Sequence, residues 1–136
     1  MKTVLVVDDE TLVADALAAA LGRAGYAVLT ATDGAEALAL LARTSVDVVL
    51  CDVVMAGVDG ASLLRALRES PATERLPVIL MSMLSEDRVW ALCTGYAKYL
   101  RKPLAMDALH AAIADVTAPA AHGFTLNDAL RTGPAH

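Results

Sequence analysis

The sequence of 136 residues is poor in several residue types, and each shortage narrows the possible classes of protein. Aromatic residues make up only 4% of the chain, so the core must be aliphatic. The two cysteines, Cys51 and Cys93, lie far apart without a C-x-x-C spacing, and we interpret them as small buried hydrophobes in a reducing compartment. The net charge is −5 and no basic cluster occurs, which argues against nucleic acid or an anionic membrane as a direct partner.

Long apolar runs are also missing. Asp8 cuts the first run short, so it is too brief for a signal peptide or a membrane-spanning helix, and we expect a cytoplasmic protein. Hydrophobic residues nevertheless make up 57% of the chain, enough for one domain with a sizeable core. We predict this domain over residues 1–116. Beyond it Ala, Pro and Gly dominate, and we predict a flexible C-terminal tail over residues 117–136.

Short continuous apolar runs alternate with helical spacings along the domain. Such runs are typical of strands buried on both faces of a sheet. The predicted strands are Val4–Val7, Ala27–Ala31, Val46–Cys51, Val78–Met81 and Tyr99–Leu100. The predicted helices cover about 13–24, 34–42, a third segment containing Leu63, Leu64 and Leu67, then 86–93 and 106–116. Five strands alternating with five helices predict an α/β fold in which parallel strands are joined by right-handed crossovers.

Polar residues stand at the carboxyl ends of four predicted strands. Asp8 and Asp9 follow the first strand, Asp52 the third, Ser82 the fourth and Lys102 the fifth. In an open parallel sheet, ligands bind outside these carboxyl ends, where strand order reverses. We therefore expect three carboxylates, a hydroxyl and an ammonium to share one small pocket.

This combination of groups is suited to accepting a phosphoryl group. Clustered carboxylates repel one another and need a cation, and hard oxygen ligands suit Mg²⁺. An aspartate can act as a nucleophile and form an aspartyl phosphate. The ammonium of Lys102 and the hydroxyl of Ser82 could stabilise the charge on the phosphoryl oxygens. The set contains no histidine that could donate a phosphoryl group.

Each of these residues also has a simpler explanation when it is considered alone. Asp8 and Asp9 could cap the first helix, and Asp52 could be a turn residue. Ser82 could be a strand-end hydroxyl that bonds its own backbone, and Lys102 a surface charge. The occurrence of all these groups at separate strand ends favours a functional site.

Four stretches carry these groups, namely Val4–Glu10, Val49–Met55, Pro77–Ser82 and Tyr99–Pro103, and a fifth stretch, Gly57–Gly60, follows Asp52. Together they resemble the response-regulator receiver family, in family order and over about residues 3–116. The resemblance is to stand-alone, chemotaxis-regulator-like members. It implies a flavodoxin-like (βα)5 three-layer sandwich whose parallel five-stranded sheet has the strand order 2-1-3-4-5.

The resemblance assigns roles to the acidic residues. Asp52 would be the phosphoacceptor. Asp9, Asp52 and the backbone carbonyl of Val54 would bind Mg²⁺ directly, and Asp8 would act through a bound water.

The resemblance also assigns roles at the last two strands. The hydroxyl of Ser82 would follow the phosphoryl group, and Lys102 would correspond to the lysine of the family's site. Tyr99 would be the aromatic that swings inward when that hydroxyl moves, and the Lys102–Pro103 peptide bond would be cis.

The function that the resemblance implies is that of a response regulator in two-component signal transduction. A sensor histidine kinase or histidine phosphotransfer protein would supply the phosphoryl group. The output would be contact with another protein through the helix 4–strand 5–helix 5 face, in a monomer or weak dimer. Such a chain would be a phosphoacceptor and not an enzyme in the usual sense, and it would have no DNA-binding output domain.

Three alternatives stay open from the sequence. The chain could be a receiver domain cut from a hybrid histidine kinase, or an interaction module of the same fold that is not phosphorylated. An Asp-nucleophile phosphatase is the third, but the position two after Asp52 holds Val54 and not a second acid that could act as general acid or base.

Four departures from the family pattern concern signal output. Ala56 replaces a proline, which should loosen the loop after Asp52. Met83 stands where a small residue is usual and could crowd the phosphoryl group. The stretch from Ser82 to Lys102 is about two residues short, which predicts a compressed loop before helix 4. The segment Tyr96-Ala97-Lys98 lacks the usual acids.

Overall fold

The structure is a computed structural model and describes residues 1–55, 57 and 59–118. Five strands alternate with five helices in this part of the chain, as the sequence predicts. The strands are β1 (Thr3–Val7), β2 (Ala27–Ala31), β3 (Val48–Asp52), β4 (Val78–Ser82) and β5 (Lys98–Arg101). The helices are α1 (Thr11–Arg23), α2 (Gly34–Leu41), α3 (Gly60–Glu69), α4 (Glu86–Leu92) and α5 (Met106–Val116).

The five strands form one parallel sheet with the order β2-β1-β3-β4-β5. The predicted fold class and strand order are therefore confirmed. β1 and β3 are parallel neighbours, so their ends lie next to each other at the carboxyl edge. The strand order reverses between them, and ligands bind at such a reversal.

Three strands, β3, β4 and β5, extend one residue further toward this edge than predicted. Asp52 and Ser82 are the last residues of β3 and β4 rather than the first residues after them. Asp52 keeps the strand register because the next backbone N–H, that of Val53, donates to the carbonyl of Met81 at 3.0 Å. The sheet thus fixes the backbone that carries both polar side chains.

The sheet separates two aliphatic cores. Alternate residues of β1 enter opposite cores, which explains why the whole strand is apolar. One core lies on the side of α2, α3 and α4, and includes Leu5, Leu63, Leu67 and Val89. The other lies on the side of α1 and α5, and includes Val4, Leu21, Leu109 and Ile113. Each such side chain, when fully buried, contributes about 1.5–3 kcal/mol of transfer free energy.

The helices differ in how firmly they are held by these cores. The amphipathic α3 buries three leucines, Leu63, Leu64 and Leu67. By contrast α4 has only seven residues and buries one of them, Val89. Its Trp90 is 43% exposed and makes an edge-to-face contact with Tyr96, with ring centroids 5.8 Å apart.

Both cysteines are free thiols, in agreement with the sequence interpretation. Cys51 is fully buried in β3, and burial together with the neighbouring charge of Asp52 raises the pKa of its thiol. We expect Cys51 not to react with a thiol reagent in the native protein and to react at once in urea. Cys93 is half-buried and serves as the internal reference. Counting the modified thiols checks this, and rapid native modification of Cys51 would contradict the packing of β3.

Two further sequence predictions concern the ends of the domain and its environment. Among the described residues, no helix combines the length and the apolar character that crossing a membrane requires. The predicted tail lies outside the described residues from position 119 onward, and the predicted domain boundary at residue 116 stays a prediction.

Candidate functional site

The carboxyl edge of the sheet brings three acids together. Carboxylate oxygens of Asp8, Asp9 and Asp52 all lie within 4.8 Å of one another. Asp8 is 0% exposed and Asp52 is 7% exposed, whereas Asp9 is open to solvent. The fixed backbone of β1 and β3 holds the two buried acids, and the solvent-exposed acid closes the cluster on its outer side.

Asp8, which follows β1, has a role other than capping α1. The N-cap residue is Glu10, and its side chain makes no capping hydrogen bond. Asp8 instead accepts a hydrogen bond from the backbone N–H of Glu10 at 2.9 Å. This bond orients one oxygen of Asp8, and its other oxygen faces the ammonium of Lys102.

Lys102 brings a single positive charge into the cluster. Its Nζ lies 3.0 Å from Oδ2 of Asp52 and 3.4 Å from Oδ2 of Asp8. The peptide bond from Lys102 to Pro103 is cis. Two buried carboxylates share this one ammonium, so the pair keeps an excess of negative charge that a divalent cation would neutralise.

Opposing effects set the pKa values in this pair. Burial raises the pKa of Asp52 above its usual range, although the hydrogen bond and charge of Lys102 oppose the shift. Burial lowers the pKa of Lys102, but the hydrogen bond and charge of Asp52, together with Asp8, outweigh it and leave that pKa raised. Lys102 therefore stays charged, and the unfavourable burial of a carboxylate is seen in the raised pKa of Asp52.

Replacing Lys102 should show how much its charge contributes. We expect Lys102→Met to lower the free energy of unfolding by about 2 kcal/mol at neutral pH, less than for a fully buried ion pair because the ammonium keeps some contact with water. Added Mg²⁺ should restore stability more in this variant than in the wild type. Thermal unfolding with and without Mg²⁺ measures both effects.

Lys98→Met is the matched control for this prediction. Lys98 also forms an ion pair, 2.7 Å from Asp115, but both side chains are largely exposed. We expect a change within about 0.5 kcal/mol for this variant. If the two lysine variants were equally stable without Mg²⁺, the ammonium of Lys102 would not be neutralising the cluster.

A glycine at the start of α3 allows this helix to approach the backbone of Asp52 closely. Gly60 begins α3, and a Cβ atom there would lie 2.4 Å from the backbone oxygen of Asp52 and 2.8 Å from the Cα of Val53. The N–H of Gly60 donates to the carbonyl of Val53 at 3.0 Å. Asp59 caps α3 by accepting from the N–H of Ser62 at 2.9 Å. The start of α3 therefore packs directly against the strand end that carries Asp52.

The backbone after Asp52 turns toward its carboxylate. The N–H of Val54 donates to Oδ1 of Asp52 at 3.3 Å. This contact places the Val54 backbone, whose carbonyl is a predicted metal ligand, beside the acid cluster. Ala56 lies outside the described residues, so its predicted effect on the loop stays a prediction.

Ser82 lies buried at the end of β4, and the three residues Met83–Ser85 connect it to α4. We name this connection the β4–α4 loop. Oγ of Ser82 accepts a hydrogen bond from the N–H of Leu84 at 3.0 Å. The hydroxyl of Tyr99 donates to the carbonyls of Ser82, at 3.1 Å, and Leu84. Tyr99 thus links the loop to β5.

Met83 points largely into solvent, with 75% of its surface exposed. It lines an apolar groove together with Leu12, Leu104 and Met106. Its predicted crowding of a phosphoryl group stays a prediction.

Sequence reasoning missed two residues near this site. The glycine of the Asp59-Gly60 pair was a usable signal, because a glycine at a helix start can mark a close backbone contact. Nothing in the sequence marked Arg101, whose Nε donates to the carbonyl of Met83 at 3.1 Å.

Comparison with known proteins agrees with this geometry. A family model described as the response regulator receiver domain matches residues 4–114. The response regulator PleD of Caulobacter vibrioides is 41% identical over 103 residues, which are 74% of this chain and 23% of PleD. The protein PilH of Pseudomonas aeruginosa is 36% identical over 106 residues, which are 76% of this chain and 88% of PilH.

The fold is also similar to a solved structure that holds a metal. The response regulator TrrA of Thermotoga maritima, in complex with Mg²⁺ and beryllofluoride, superposes with a TM-score of 0.77. The two proteins are 28% identical, and the match covers 85% of this chain and 99% of the TrrA chain.

Proposed function

The chain belongs to the response regulator receiver domain family, and from this premise we propose that Asp52 accepts a phosphoryl group from a partner's phosphohistidine. The main observation in support is the ionic contact at 3.0 Å between the nearly buried Asp52 and Lys102, inside a cluster of three acids. The sheet holds the backbone of Asp52, and a small part of its surface stays open to an incoming group.

The transfer moves one phosphoryl group between two proteins. An oxygen of the Asp52 carboxylate attacks phosphorus, the P–N bond of the phosphohistidine breaks, and the imidazole nitrogen keeps the electron pair. Lys102 lies beside Asp52 and would pair with a phosphoryl oxygen as the charge spreads. The Ser82 hydroxyl, at the end of the neighbouring strand, would donate to another.

The acid cluster has the donor chemistry for Mg²⁺. Carboxylate oxygens of Asp9 and Asp52 and the carbonyl of Val54 would hold the ion directly, and Asp8 would act through water. When bound, Mg²⁺ supplies positive charge for the phosphoryl oxygens. The two buried carboxylates of Asp8 and Asp52 share the single ammonium of Lys102, and this excess of negative charge is the reason to expect a cation.

The output would be contact with another protein through the α4, β5 and α5 face. Tyr99 lies on β5 and bonds the β4–α4 loop, so a change at Ser82 can alter the surface of α4. Trp90 and Leu92 are the exposed large apolar side chains on that helix. The donor would be a sensor histidine kinase or a phosphotransfer protein. A monomer or weak dimer in the cytoplasm, without direct nucleic-acid contact, stays a prediction.

A second reading is a receiver domain that works within a longer protein, such as a hybrid histidine kinase. The observation in its favour is that the chain spans only 23% of PleD. The site chemistry is the same in both cases. A receiver domain does not by itself determine the activity of a longer protein that contains it.

Intact-mass spectrometry of the purified chain tests the proposal. After incubation with phosphoramidate and Mg²⁺, we expect one added phosphoryl group, and none when EDTA removes the metal. A chain that gains no phosphoryl group would instead support an interaction module that is not phosphorylated. Equal labelling with EDTA would argue against the metal.

A further inference from the structure

Arg101, the last residue of β5, holds the first residue of the β4–α4 loop. Its Nε donates a hydrogen bond to the carbonyl of Met83 at 3.1 Å, and its register partner in β4 is Ser82. The carbonyls on either side, those of Ser82 and Leu84, accept from Tyr99. The guanidinium thus ties the loop to β5 at Met83, between the two carbonyls that share the single hydroxyl hydrogen of Tyr99.

The Arg101 side chain meets the loop through this bond. Among the described residues, the ion pairs around β5 involve Lys98 and Lys102 and not Arg101. A bond from a charged donor to a carbonyl is stronger than one between neutral groups, and the planar guanidinium loses less freedom in forming it than a lysine would. The side chain is exposed, but its donor is directed to the loop.

The position of the loop decides where the Ser82 hydroxyl lies. Its Oγ accepts from the N–H of Leu84, a residue inside the loop. A hydroxyl has one donor and two acceptor lone pairs, so this bond leaves the O–H able to donate to a ligand. Ser82 ends β4 directly beside β3, whose last residue is Asp52.

We propose that Arg101 is a positioning residue that holds the β4–α4 loop so that the Ser82 hydroxyl is ready to donate to a phosphoryl group on Asp52. The inference rests on the proposed function, since it explains how that site holds its hydroxyl donor. Without the bond to Met83, the loop gains freedom that binding must remove again, and affinity falls.

A double-mutant cycle with Mg²⁺ and beryllofluoride tests this role. Calorimetric titration of the full chain gives the beryllofluoride affinity of the wild type, Arg101→Met, Ser82→Ala and the double variant. We expect Arg101→Met to bind about fivefold more weakly than the wild type, the typical effect of one hydrogen bond. In the Ser82→Ala background, Arg101→Met should have no further effect, because its action passes through the hydroxyl.

Two controls separate positioning from the loss of a positive charge. The affinity for Mg²⁺ alone should stay the same in Arg101→Met, since the bond does not reach the carboxylates. The weakening should also persist at high salt, where a long-range field effect is screened. Arg75→Met removes another exposed arginine and should bind beryllofluoride like the wild type.

The outcomes are distinct. If the Arg101 and Ser82 effects multiply, or if the Arg101 effect disappears at high salt, the positioning role is wrong. If wild type and Arg101→Met bind beryllofluoride equally well, the inference fails while the proposed function stands. A wild-type chain that binds no beryllofluoride with Mg²⁺ overturns both.

Discussion

Asp52→Asn should take up no phosphoryl group under conditions in which the wild type takes up one. The amide has nearly the shape of the carboxylate but lacks the nucleophilic oxygen that forms the acyl phosphate. We expect the variant to fold, because burial raises the pKa of Asp52 and thus penalises the charge that the amide removes. Lys102 keeps Asp8 as a partner. Intact-mass spectrometry after treatment with phosphoramidate and Mg²⁺ gives the result directly.

Asp59→Asn is the matched control for this loss. Asp59 caps α3 through its side chain, and asparagine caps helices about as well as aspartate. This variant should be labelled like the wild type. Labelling of Asp52→Asn at the wild-type level would place the acceptor elsewhere and remove the basis of the proposed function.

Gly60→Ala should destabilise the fold by about 3 kcal/mol, at the upper end of the usual cost of overpacking. The added methyl group would sit 2.4 Å from the backbone oxygen of Asp52 and 2.8 Å from the Cα of Val53, and these backbone atoms have little room to adjust. The φ angle of Gly60 is not positive, so the cost comes from the contact and not from the helix geometry. Urea unfolding measures the loss, and calorimetry should show weaker Mg²⁺ binding because Asp52 moves.

Gly22→Ala provides the opposite expectation with the same chemical change. Gly22 lies in α1, and a Cβ atom there would meet nothing within 4 Å. Alanine should stabilise this helix by up to about 1 kcal/mol. If both variants were equally stable, the close approach of α3 to the end of β3 would be wrong.

The elements and the site edge were predictable because their signals are local. Continuous apolar runs indicated each strand of the sheet, and polar residues at the ends of four of these runs indicated the functional edge. The family resemblance supplied the strand order. The exact bounds were less certain, because Val46 is apolar yet precedes β3, which starts at Val48. Apolar character does not show where strand pairing begins.

The parts that could not be predicted depend on contacts between distant segments. The bond from Arg101 to Met83 exists because the register pairs Arg101 with Ser82, and a sequence does not state its register. The contact at Gly60 likewise depends on how closely α3 approaches β3. The sequence therefore indicated which groups meet but not which side chains hold them in place.

Because α4 buries so little apolar surface, it should open locally more easily than the other helices. A helix of seven residues that buries only Val89 has little apolar surface to lose when it detaches, whereas α3 must expose three leucines. The backbone amides of α4 should therefore exchange with deuterium through local opening, well before those of α3 or the sheet. Within the α4, β5 and α5 face, α4 is then the element that costs least free energy to rearrange. A small change in free energy at the acid cluster is therefore enough to alter the population of states in which α4 is detached.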